Sequence, residues 1–425
     1  MPAPPEHAVA ESHIIARVHA SVLDVDPQAW NALLAHQAHA TPFMRHEYLA
    51  ALETSGSATP RTGWTPRFLT LWDAGALVAA CPLYLKTHSY GEYVFDWAWA
   101  SAYEQHGVPY YPKALVAVPF TPVPGTRLLA RDATARAQLV QAARQWCMEE
   151  DISSLHLLFA ADEDIATCAD QGLMLRHTVQ FHWQNMAPVA PVVSSEATSE
   201  WLAMPNRFTS FDDFLASLAQ EKRKKIKQER RRVADAGVTF RCLQGKAIST
   251  GDWDFFYRCY ERTYLEHGNP PYLSRAFFAD MARTMPEAWV LFIAERDGQP
   301  IASSLIAISA CPASATGQKD TEIIAYGRYW GALERVDCLH FEACYYQPLQ
   351  WCIEHGVHRF EGGAQGEHKM ARALLPVQTS SAHWLAHPAF ADAVERFLER
   401  EGEGVDAYLQ SLHERAPFRK TQNPP

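Results

Sequence analysis

Residues 360–376 read FEGGAQGEHKMARALLP. Three of the five positions from 362 to 366 are glycine, and the charged run Glu-His-Lys follows at residues 367–369. The residues just before, 358–360, have the pattern of a strand. Because glycine lets the backbone approach a ligand closely, this stretch predicts a strand that ends in a binding loop. We expect that loop to face a cleft.

The elements that precede this stretch alternate in type. Hydrophobic periodicity predicts helices over residues 252–266 and 275–284, a hairpin over 291–308, a strand over 321–330 and a long helix over 339–356. Asp297-Gly298 supplies the hairpin turn. This order of helices, antiparallel hairpin, strand, helix and strand predicts an α/β (α+β) fold, with a mixed central sheet flanked by helices.

The same order of elements occurs in the first half of the chain. Residues 145–147 and 350–352 are both Gln-Trp-Cys, 205 residues apart, and strand–turn–strand patterns recur at residues 68–85 and 291–308. Two matches in the same order predict a duplicated unit rather than a short-period repeat array. We expect one domain over residues 1–186 and one over 211–425, joined by a Pro-, Ser- and Thr-rich linker over 187–210.

The composition limits the class of protein. The 425 residues carry a net charge of −10 and are 48% hydrophobic, which predicts a folded protein and argues against nucleic-acid binding through overall charge. The nine cysteines include no C-x-x-C pair, so zinc-ribbon and thioredoxin-like chemistry are not indicated and no metal is expected. The sequence shows no secretion signal and no apolar run of membrane length, so a cytoplasmic location is expected.

A basic segment interrupts this acidic background. Residues 211–237 have the strongest helical pattern in the chain, and eight of the eleven residues from 222 to 232 are Lys or Arg. Thr209 or Ser210 is suited to cap this helix and Gly237 to end it. Because like charges at helical spacing repel, we expect an anion nearby, bound by Arg223, Lys224, Lys227 and Arg231. An RNA backbone, a phosphorylated small substrate and the protein's own acidic residues are the alternatives.

The first half contains an insertion rich in Pro and Tyr between its hairpin and its helix. Part of it, SAYEQHGVPYYPK, covers residues 101–113. Proline-rich loops with aromatic residues are stiff and line pockets at low entropic cost. We expect Tyr103, His106 and Tyr110 either to form the acceptor side of a cleft between the two units or to belong to a rigid loop that covers the sheet.

Three stretches carry a resemblance to a known family. They are RKKIKQERRRVADAG at residues 223–237, LHFEACYYQ at 339–347 and EGGAQGEHK at 361–369. Along nearly its whole length the chain resembles the FemAB-like, peptidoglycan-biosynthesis-type branch of the GNAT superfamily of N-acyltransferases. The resemblance implies two tandem GNAT-like acyltransferase domains that transfer an acyl or aminoacyl group to an amine. Better-known relatives move an amino acid from aminoacyl-tRNA to a cell-wall precursor.

The resemblance also implies where the chemistry takes place. The strands over residues 323–329 and 358–362 should separate where the acyl group lies, with the donor held by the second unit. A carboxylate or a histidine beside the amine would take its proton, and the N-terminus of the helix between the two strands would attract an anionic donor group. The expected catalytic residues are Glu361, His368 and Glu342. The expected substrate-binding residues are Gly362, Gly363, Gln365, Lys369, His340 and Tyr345.

The loop before this helix departs from the pattern of the wider superfamily, so the identity of the donor stays open. CoA-dependent GNAT enzymes carry a Q/R-x-x-G-x-G/A loop before this helix, whereas residues 331–338 read GALERVDC, and an acidic loop is a poor cradle for a pyrophosphate. Acyl-CoA and aminoacyl-tRNA both stand as donors, with a small-molecule or peptide amine as acceptor. The alternative from another class is a non-catalytic double-GNAT protein that binds nucleic acid through residues 222–232.

Overall fold

The computed structural model describes residues 14–186, 207–311, 322–364 and 366–419. Its strands are β1 (Ile15–His19), β2 (Trp64–Pro66), β3 (Phe68–Asp73), β4 (Ala76–Cys81), β5 (Leu83–Lys86), β6 (Lys113–Val116), β7 (Leu129–Ala130), β8 (Ser154–Ala160), β9 (Met174–Gln184), β10 (Val238–Gln244), β11 (Trp289–Arg296), β12 (Gln299–Cys311), β13 (Glu322–Ala332), β14 (Arg359–Ala364) and β15 (Leu375–Leu385).

The α-helices are α1 (Pro27–Ala35), α2 (His46–Thr54), α3 (Trp97–Gln105), α4 (Ala133–Glu149), α5 (Asp162–Asp170), α6 (Phe211–Ser217), α7 (Gln220–Asp235), α8 (Thr250–Glu266), α9 (Arg275–Thr284), α10 (Leu339–Phe341), α11 (Gln347–Glu354) and α12 (Pro388–His413). A π-helix, Glu342–Tyr346, joins α10 to α11, and a 3₁₀ helix, Glu367–Arg372, follows β14. None of the helices in these described ranges combines the length and the hydropathy needed to cross a bilayer.

Eleven strands form one mixed sheet in the order β10-β11-β12-β13-β14-β9-β15-β8-β6-β5-β2, and a smaller sheet has the order β1-β3-β4-β7. The pairs β13–β14 and β6–β8 are parallel, and the other neighbours in the large sheet are antiparallel. Alternate residues of β13 belong to two cores: Ile324 and Tyr326 pack with α8 and α9, whereas Ala325 packs with α11. The predicted mixed sheet with flanking helices is confirmed.

The large sheet has an internal twofold pseudosymmetry centred between β9 and β15. At its centre Thr178 pairs with Thr379, and their hydroxyl oxygens are 2.8 Å apart. On one side His182 pairs with Glu361, and on the other His383 pairs with His156. The pairing makes β9 equivalent to β15, β14 to β8 and β13 to β6, which supports the predicted duplication. The predicted match between the two hairpins is not seen in this sheet, because β3 and β4 lie in the smaller sheet whereas β11 and β12 lie in the large one.

The two units exchange their last strands. β9 comes from the first half of the chain but pairs with β14, and β15 comes from the second half but pairs with β8. The domain boundaries at residues 186 and 211 stay a prediction, and residues 187–206 of the expected linker lie outside the described ranges.

Two local predictions need correction. Residues 211–237 form two helices, α6 and α7, because Leu218 between them is extended and makes a β-bridge with Phe418. The predicted ends are confirmed, since Ser210 Oγ accepts from the Asp213 amide at 3.1 Å and Gly237 has a φ of 74°. Residues 370–375, MARALL, have a helix-like sequence, but they form only the end of the short 3₁₀ helix and the start of β15.

Candidate active site

Strands β13 and β14 pair with each other over only three residue pairs, the last of which is Tyr326–Glu361. β13 then continues to Ala332 and β14 to Ala364 without further pairing between them. Both strands are irregular beside this point, because the β12–β13 register shifts at Leu305 and the β14–β9 register shifts after Glu361. The predicted separation of the strands is confirmed, and we refer to the opening as the strand gap.

A cavity of about 400 Å³, the large cavity, opens at the strand gap. Its volume lies within the range typical of small-molecule sites. Both halves of the chain line it, and aromatic side chains and arginines dominate the wall. The lining includes Tyr93, Phe95, Phe120, Phe159, Arg176, Tyr260, Tyr264, Gly327, Arg328, Tyr329, Gly362 and Gly363.

Three aromatic residues in this wall have strained backbones. Tyr93, Phe120 and Phe159 have φ angles of 62°, 58° and 51°, and no other aromatic residue in the described ranges has a positive φ. A bulky residue in this region costs on the order of 1–3 kcal/mol and persists only where the surrounding structure holds it. Because such strain clusters at functional sites, it supports the large cavity as the candidate active site.

Arg328 provides a positive charge at the strand gap. Its Nη2 donates to the carbonyl oxygen of Phe120 at 3.1 Å and to the hydroxyl of Tyr329 at 3.2 Å, while Nη1 makes no hydrogen bond with the described residues. Burial alone would lower the pKa of Arg328, but the phenol groups of Tyr329 and Tyr48 raise it, and the net shift is upward. The guanidinium therefore stays charged and has one nitrogen available to a substrate oxygen.

The glycine run at the end of β14 is held by a buried lysine. Lys369 Nζ donates to the carbonyl oxygens of Gly362, Gly363 and Ala364 at 2.7, 3.2 and 2.8 Å. A Cβ atom on Gly362 would lie 2.9 Å from the carbonyl oxygen of Phe181, so the strand fits only with glycine there. The expected substrate contact of Lys369 is corrected: its ammonium is bound by the main chain and shapes the cavity wall.

Replacing Lys369 with methionine is expected to destabilise the fold by about 3 kcal/mol, because three carbonyl oxygens lose a charged donor while the side-chain volume is kept. Urea unfolding at pH 7 measures this change. The matched control is Glu367→Gln two residues away, which removes an exposed ion pair to Arg415 and should cost less than about 1 kcal/mol. Equal losses in the two variants would contradict the role given to Lys369.

Glu361 faces a second cavity of about 220 Å³, the small cavity, together with His182 and Arg359. One carboxylate oxygen accepts from Arg359 Nε at 3.1 Å, whereas Oε2 has no hydrogen-bond partner and lies 4.0 Å from His182 Nε2. Burial raises the pKa of Glu361 to about 7, an effect that Arg359 only partly offsets, and burial lowers the pKa of His182 to about 3. A carboxyl group with a pKa near neutrality is suited to accept a proton.

The two cavities meet at the closed end of the strand gap. Tyr326 and Glu361, the last paired residues, line the small cavity. The next residue on each strand, Gly327 and Gly362, lines the large cavity. Glu361 therefore lies at the boundary between the cavities, on the same face of the sheet as its pairing partner Tyr326, which packs in one core with the aromatic residues Phe120 and Tyr260.

His368, His340 and Tyr345 form a cluster at the start of α10. The Nε2 atom of His368 is 3.3 Å from the Tyr345 hydroxyl, and the rings of His340 and Tyr345 have centroids 5.7 Å apart. Partial burial and the charge of Arg372 lower the pKa of His368. None of the three lines either cavity. The catalytic role expected of His368 and the substrate-binding roles expected of His340 and Tyr345 therefore stay predictions. Gln365 lies outside the described residues.

Glu342 is engaged away from the strand gap. Its carboxylate accepts from Arg230 Nε at 3.1 Å and from Gln347 Nε2 at 2.8 Å, and it lines neither cavity. The expected catalytic position of Glu342 is therefore corrected. Its ion pair with Arg230 joins the basic helix α7 to the π-helix.

Helix α7 lies against the segment that follows the glycine run. Glu229 on its buried side accepts hydrogen bonds from Arg372 Nη2 at 2.7 Å and from the Tyr346 hydroxyl. The expected anion-binding residues lie on the other side: Lys224, Lys227 and Arg231 are exposed and Arg223 is half-buried. Arg231 pairs with Asp235 at 3.4 Å, whereas the other three have no ion-pair partner in the part of the chain that is described.

The residues that the first half contributes to the large cavity are not the ones expected. Tyr103 stacks on Phe390 with centroids 3.9 Å apart, and Tyr110 donates to Asp96 at 2.6 Å; both are buried in a core against α12. His106 is exposed and bonds to the Ala102 carbonyl. Of the two alternatives stated for these residues, the structure supports the rigid structural segment over the cleft wall, because packing of α3 against α12 buries the tyrosines. Tyr93, Phe95 and Phe120 take that place.

Sequence reasoning missed Arg328 and the strained aromatic residues, since backbone strain has no sequence signature in a residue other than glycine. It also missed one sign of the duplication: His182-Trp183 recurs as His383-Trp384, 201 residues later, and marks β9 and β15 as equivalent. Among the described residues, no group of three or more His, Cys, Asp or Glu side chains could hold a metal ion.

Comparison with known proteins agrees with this fold. A family model for FemAB-like proteins, described as peptidoglycan biosynthesis/recognition, matches residues 21–420. The chain belongs to the FemAB-like family. The resemblance predicted from the sequence is confirmed, and the FemAB-like chain is an acyltransferase. No curated protein sequence matches it.

Solved structures similar to the FemAB-like chain share its fold at low sequence identity. The crystal structure of FemX is 10% identical with a TM-score of 0.50, and the match covers 87% of this chain and 98% of FemX. The C-terminal domain of a protein named as a lysylphosphatidylglycerol synthetase, from Agrobacterium fabrum, is 10% identical with a TM-score of 0.51 over 89% and 97% of the two chains. A tandem GNAT protein from the clavulanic acid pathway is 14% identical with a TM-score of 0.43, over 88% of this chain and 99% of its own.

Proposed function

We propose that the FemAB-like chain transfers an aminoacyl group to a primary amine of a peptidoglycan precursor in the cytoplasm. The donor carbonyl would lie in the large cavity and the acceptor amine would enter from the small cavity. The observation that carries the proposal is the separation of β13 and β14 directly after the Tyr326–Glu361 pair. A guanidinium, that of Arg328, lines the large cavity beside this opening, and a carboxyl group with a pKa of about 7, that of Glu361, lines the small cavity.

The proposed reaction is an addition followed by an elimination. The amine nitrogen attacks the carbonyl carbon of the ester, and the carbonyl electron pair moves onto oxygen, where Arg328 Nη1 stabilises the negative charge. Glu361 takes the proton from the attacking nitrogen. The bond between the acyl carbon and the leaving oxygen then breaks, and the leaving oxygen receives the proton from Glu361. An amide and a free hydroxyl group result.

Two observations favour aminoacyl-tRNA over acyl-CoA as the donor. The loop over residues 331–338 has Glu334 paired with Arg296, so it presents no phosphate cradle of its own. The exposed cations of α7 lie on the helix that packs against the segment after the glycine run. A cationic helix face at this position suits a polyanionic donor.

A direct transfer assay tests the proposal. The purified chain is incubated with bulk tRNA charged with a mixture of [¹⁴C]amino acids and with a nucleotide-linked muramyl pentapeptide that has a free side-chain amine. We expect label to move to the peptide, and [¹⁴C]acetyl-CoA in a parallel reaction to give none. Transfer from acetyl-CoA alone would show that acyl-CoA is the donor in place of aminoacyl-tRNA. Transfer from neither donor to any primary amine would overturn the proposal.

Charge reversal on α7 should weaken the donor interaction. With both Lys224 and Lys227 replaced by Glu, we expect KM for charged tRNA to rise at least tenfold at 50 mM salt while kcat changes little, because the two side chains contact phosphates outside the strand gap. The dependence of KM on salt should become shallower. The control variant replaces Lys246, an exposed lysine that follows β10, with Glu. An unchanged KM at low salt would remove α7 from the donor site.

A further inference from the structure

Residues 90–97, which we name the aromatic segment, present rings at the mouth of the large cavity. Tyr93, Phe95 and Trp97 are exposed by 38%, 57% and 43%, and they alternate with the buried residues Glu92, Val94 and Asp96. Tyr93 and Phe95 line the large cavity, and the ring of Tyr90, also exposed, lies 5.2 Å from that of Trp97. Four exposed aromatic residues within eight positions do not contribute to a core, so another role is indicated.

A buried ionic cluster holds the backbone of the aromatic segment in place. Lys113 Nζ, whose side chain is almost fully buried, donates to Glu92 at 2.7 Å, to Ser89 at 2.8 Å and to Asp96. From the side, Arg176 Nη1 donates to the carbonyl oxygen of Phe95 at 2.7 Å. A buried ion pair adds little net stability because desolvation offsets the attraction. Its effect here is to fix the two acidic residues between which Tyr93 lies.

The backbone of the aromatic segment is strained as well as fixed. Tyr93 has a φ of 62°, a conformation that a tyrosine adopts at a cost of on the order of 1–3 kcal/mol. The fold thus uses a buried ionic cluster and a strained residue to hold the backbone that carries the exposed rings. A fixed backbone matters for a ligand that stacks on those rings, whereas attachment to a lipid surface needs only apolar area.

We propose that the aromatic segment is a stacking platform for a nucleobase of a substrate whose reacting group enters the large cavity. Base-on-aromatic stacking tolerates different bases because every base has a π face. The base could be the adenine at the acceptor end of a charged tRNA or the uracil of a nucleotide-linked precursor. In naming these sources the inference rests on the proposed function, but binding of the base does not require turnover.

Binding of simple probes tests the platform without any transfer reaction. Adenosine 5′-monophosphate, uridine 5′-monophosphate and ribose 5-phosphate are titrated against the full chain by calorimetry. We expect at least one mononucleotide to bind more tightly than ribose 5-phosphate, and Phe95→Ala to weaken that binding roughly tenfold. Binding of the adenine nucleotide alone assigns the platform to the donor, and binding of the uracil nucleotide alone assigns it to the acceptor.

Two further variants separate stacking from a structural effect. Tyr93→Asn removes the ring but keeps a residue that tolerates positive φ, so we expect weaker nucleotide binding with an unchanged melting temperature. Met148→Ala, an exposed apolar residue on α4, should change neither property. Equal binding of ribose 5-phosphate, or binding to phosphatidylcholine vesicles without nucleotide binding, would overturn the platform. If nucleotides bind at the platform but no amine is acylated, the proposed function fails and the platform stands.

Discussion

Replacing Arg328 with alanine is expected to lower kcat/KM for acyl transfer by roughly 100- to 1,000-fold, the usual effect of removing one donor to a developing oxyanion. The physical reason is that Nη1 has no partner among the described residues and faces a cavity where the acyl carbonyl would gain charge. In a site that excludes water, such a contact stabilises the transition state more than the substrate. Single-turnover measurement with charged tRNA in excess separates this effect from binding.

Two controls keep that expectation specific to Arg328. Arg328→Lys retains the charge but loses the planar fork, so an intermediate rate is expected. Arg241→Ala removes a surface arginine that pairs with Asp252 and Glu295 on the far edge of the sheet, and activity should be unchanged. If Arg328→Ala loses activity only in proportion to a loss of folded protein, measured by circular dichroism, the oxyanion role is wrong and Arg328 is structural.

Sequence periodicity predicted several elements of the second half because they are local and regular. Helix α9 is found with the predicted ends, and the hairpin of β11 and β12 turns at Asp297-Gly298, both with positive φ. The exchange of β9 and β15 was not predictable, since pairing between strands about 200 residues apart depends on tertiary packing. The break at Leu218 was missed for the same reason, because its partner Phe418 is distant in the chain.

The candidate site was predicted in part, and the failures share a cause. The glycine run and Glu361 were identified because glycine and a carboxylate at a strand end have a local sequence signature. The pattern cannot show which partner a charged side chain will meet. In the fold, Lys369 donates to three carbonyl oxygens and Glu342 pairs with Arg230, so neither is available to a substrate. Arg328 was missed because it lies within a strand pattern without a motif.

The pseudosymmetry explains why we assign the reaction to one unit only. His156 on β8 is equivalent to Glu361 on β14, and the two residues that follow it are leucine, where β14 has glycine. Leu157 and Leu158 are buried, and the β6–β8 pairing extends to Val116–Leu157, so the first unit has leucine side chains where the second has its strand gap. His156 bonds to His383 and Ser154 instead of facing a cavity. The first unit therefore has no counterpart of the proposed site.

Replacing Glu361 with glutamine is expected to lower kcat by at least about 100-fold, because the amide keeps the shape of the side chain but cannot accept the proton of the attacking amine. In the wild-type enzyme kcat should rise with pH through about 7 and then level off, following the pKa of the Glu361 carboxyl. The variant should lose this rise. The matched control is Glu322→Gln, which removes the other carboxylate near Arg359, at 3.9 Å, and should leave the pH profile unchanged.

Glu361→Gln should lower the rate of transfer but raise the free energy of unfolding. Burial raises the pKa of Glu361 above its unfolded value of about 4.3, so folding favours the protonated form. The stabilisation from that preference is complete below the unfolded pKa and is lost as pH rises through about 7. Glutamine resembles the protonated form at every pH. Urea unfolding should therefore show the variant gaining stability relative to the wild type between pH 5 and pH 8. A variant that loses activity and also loses stability at pH 8 would show that Glu361 is needed for its ion pair with Arg359 and not as a base.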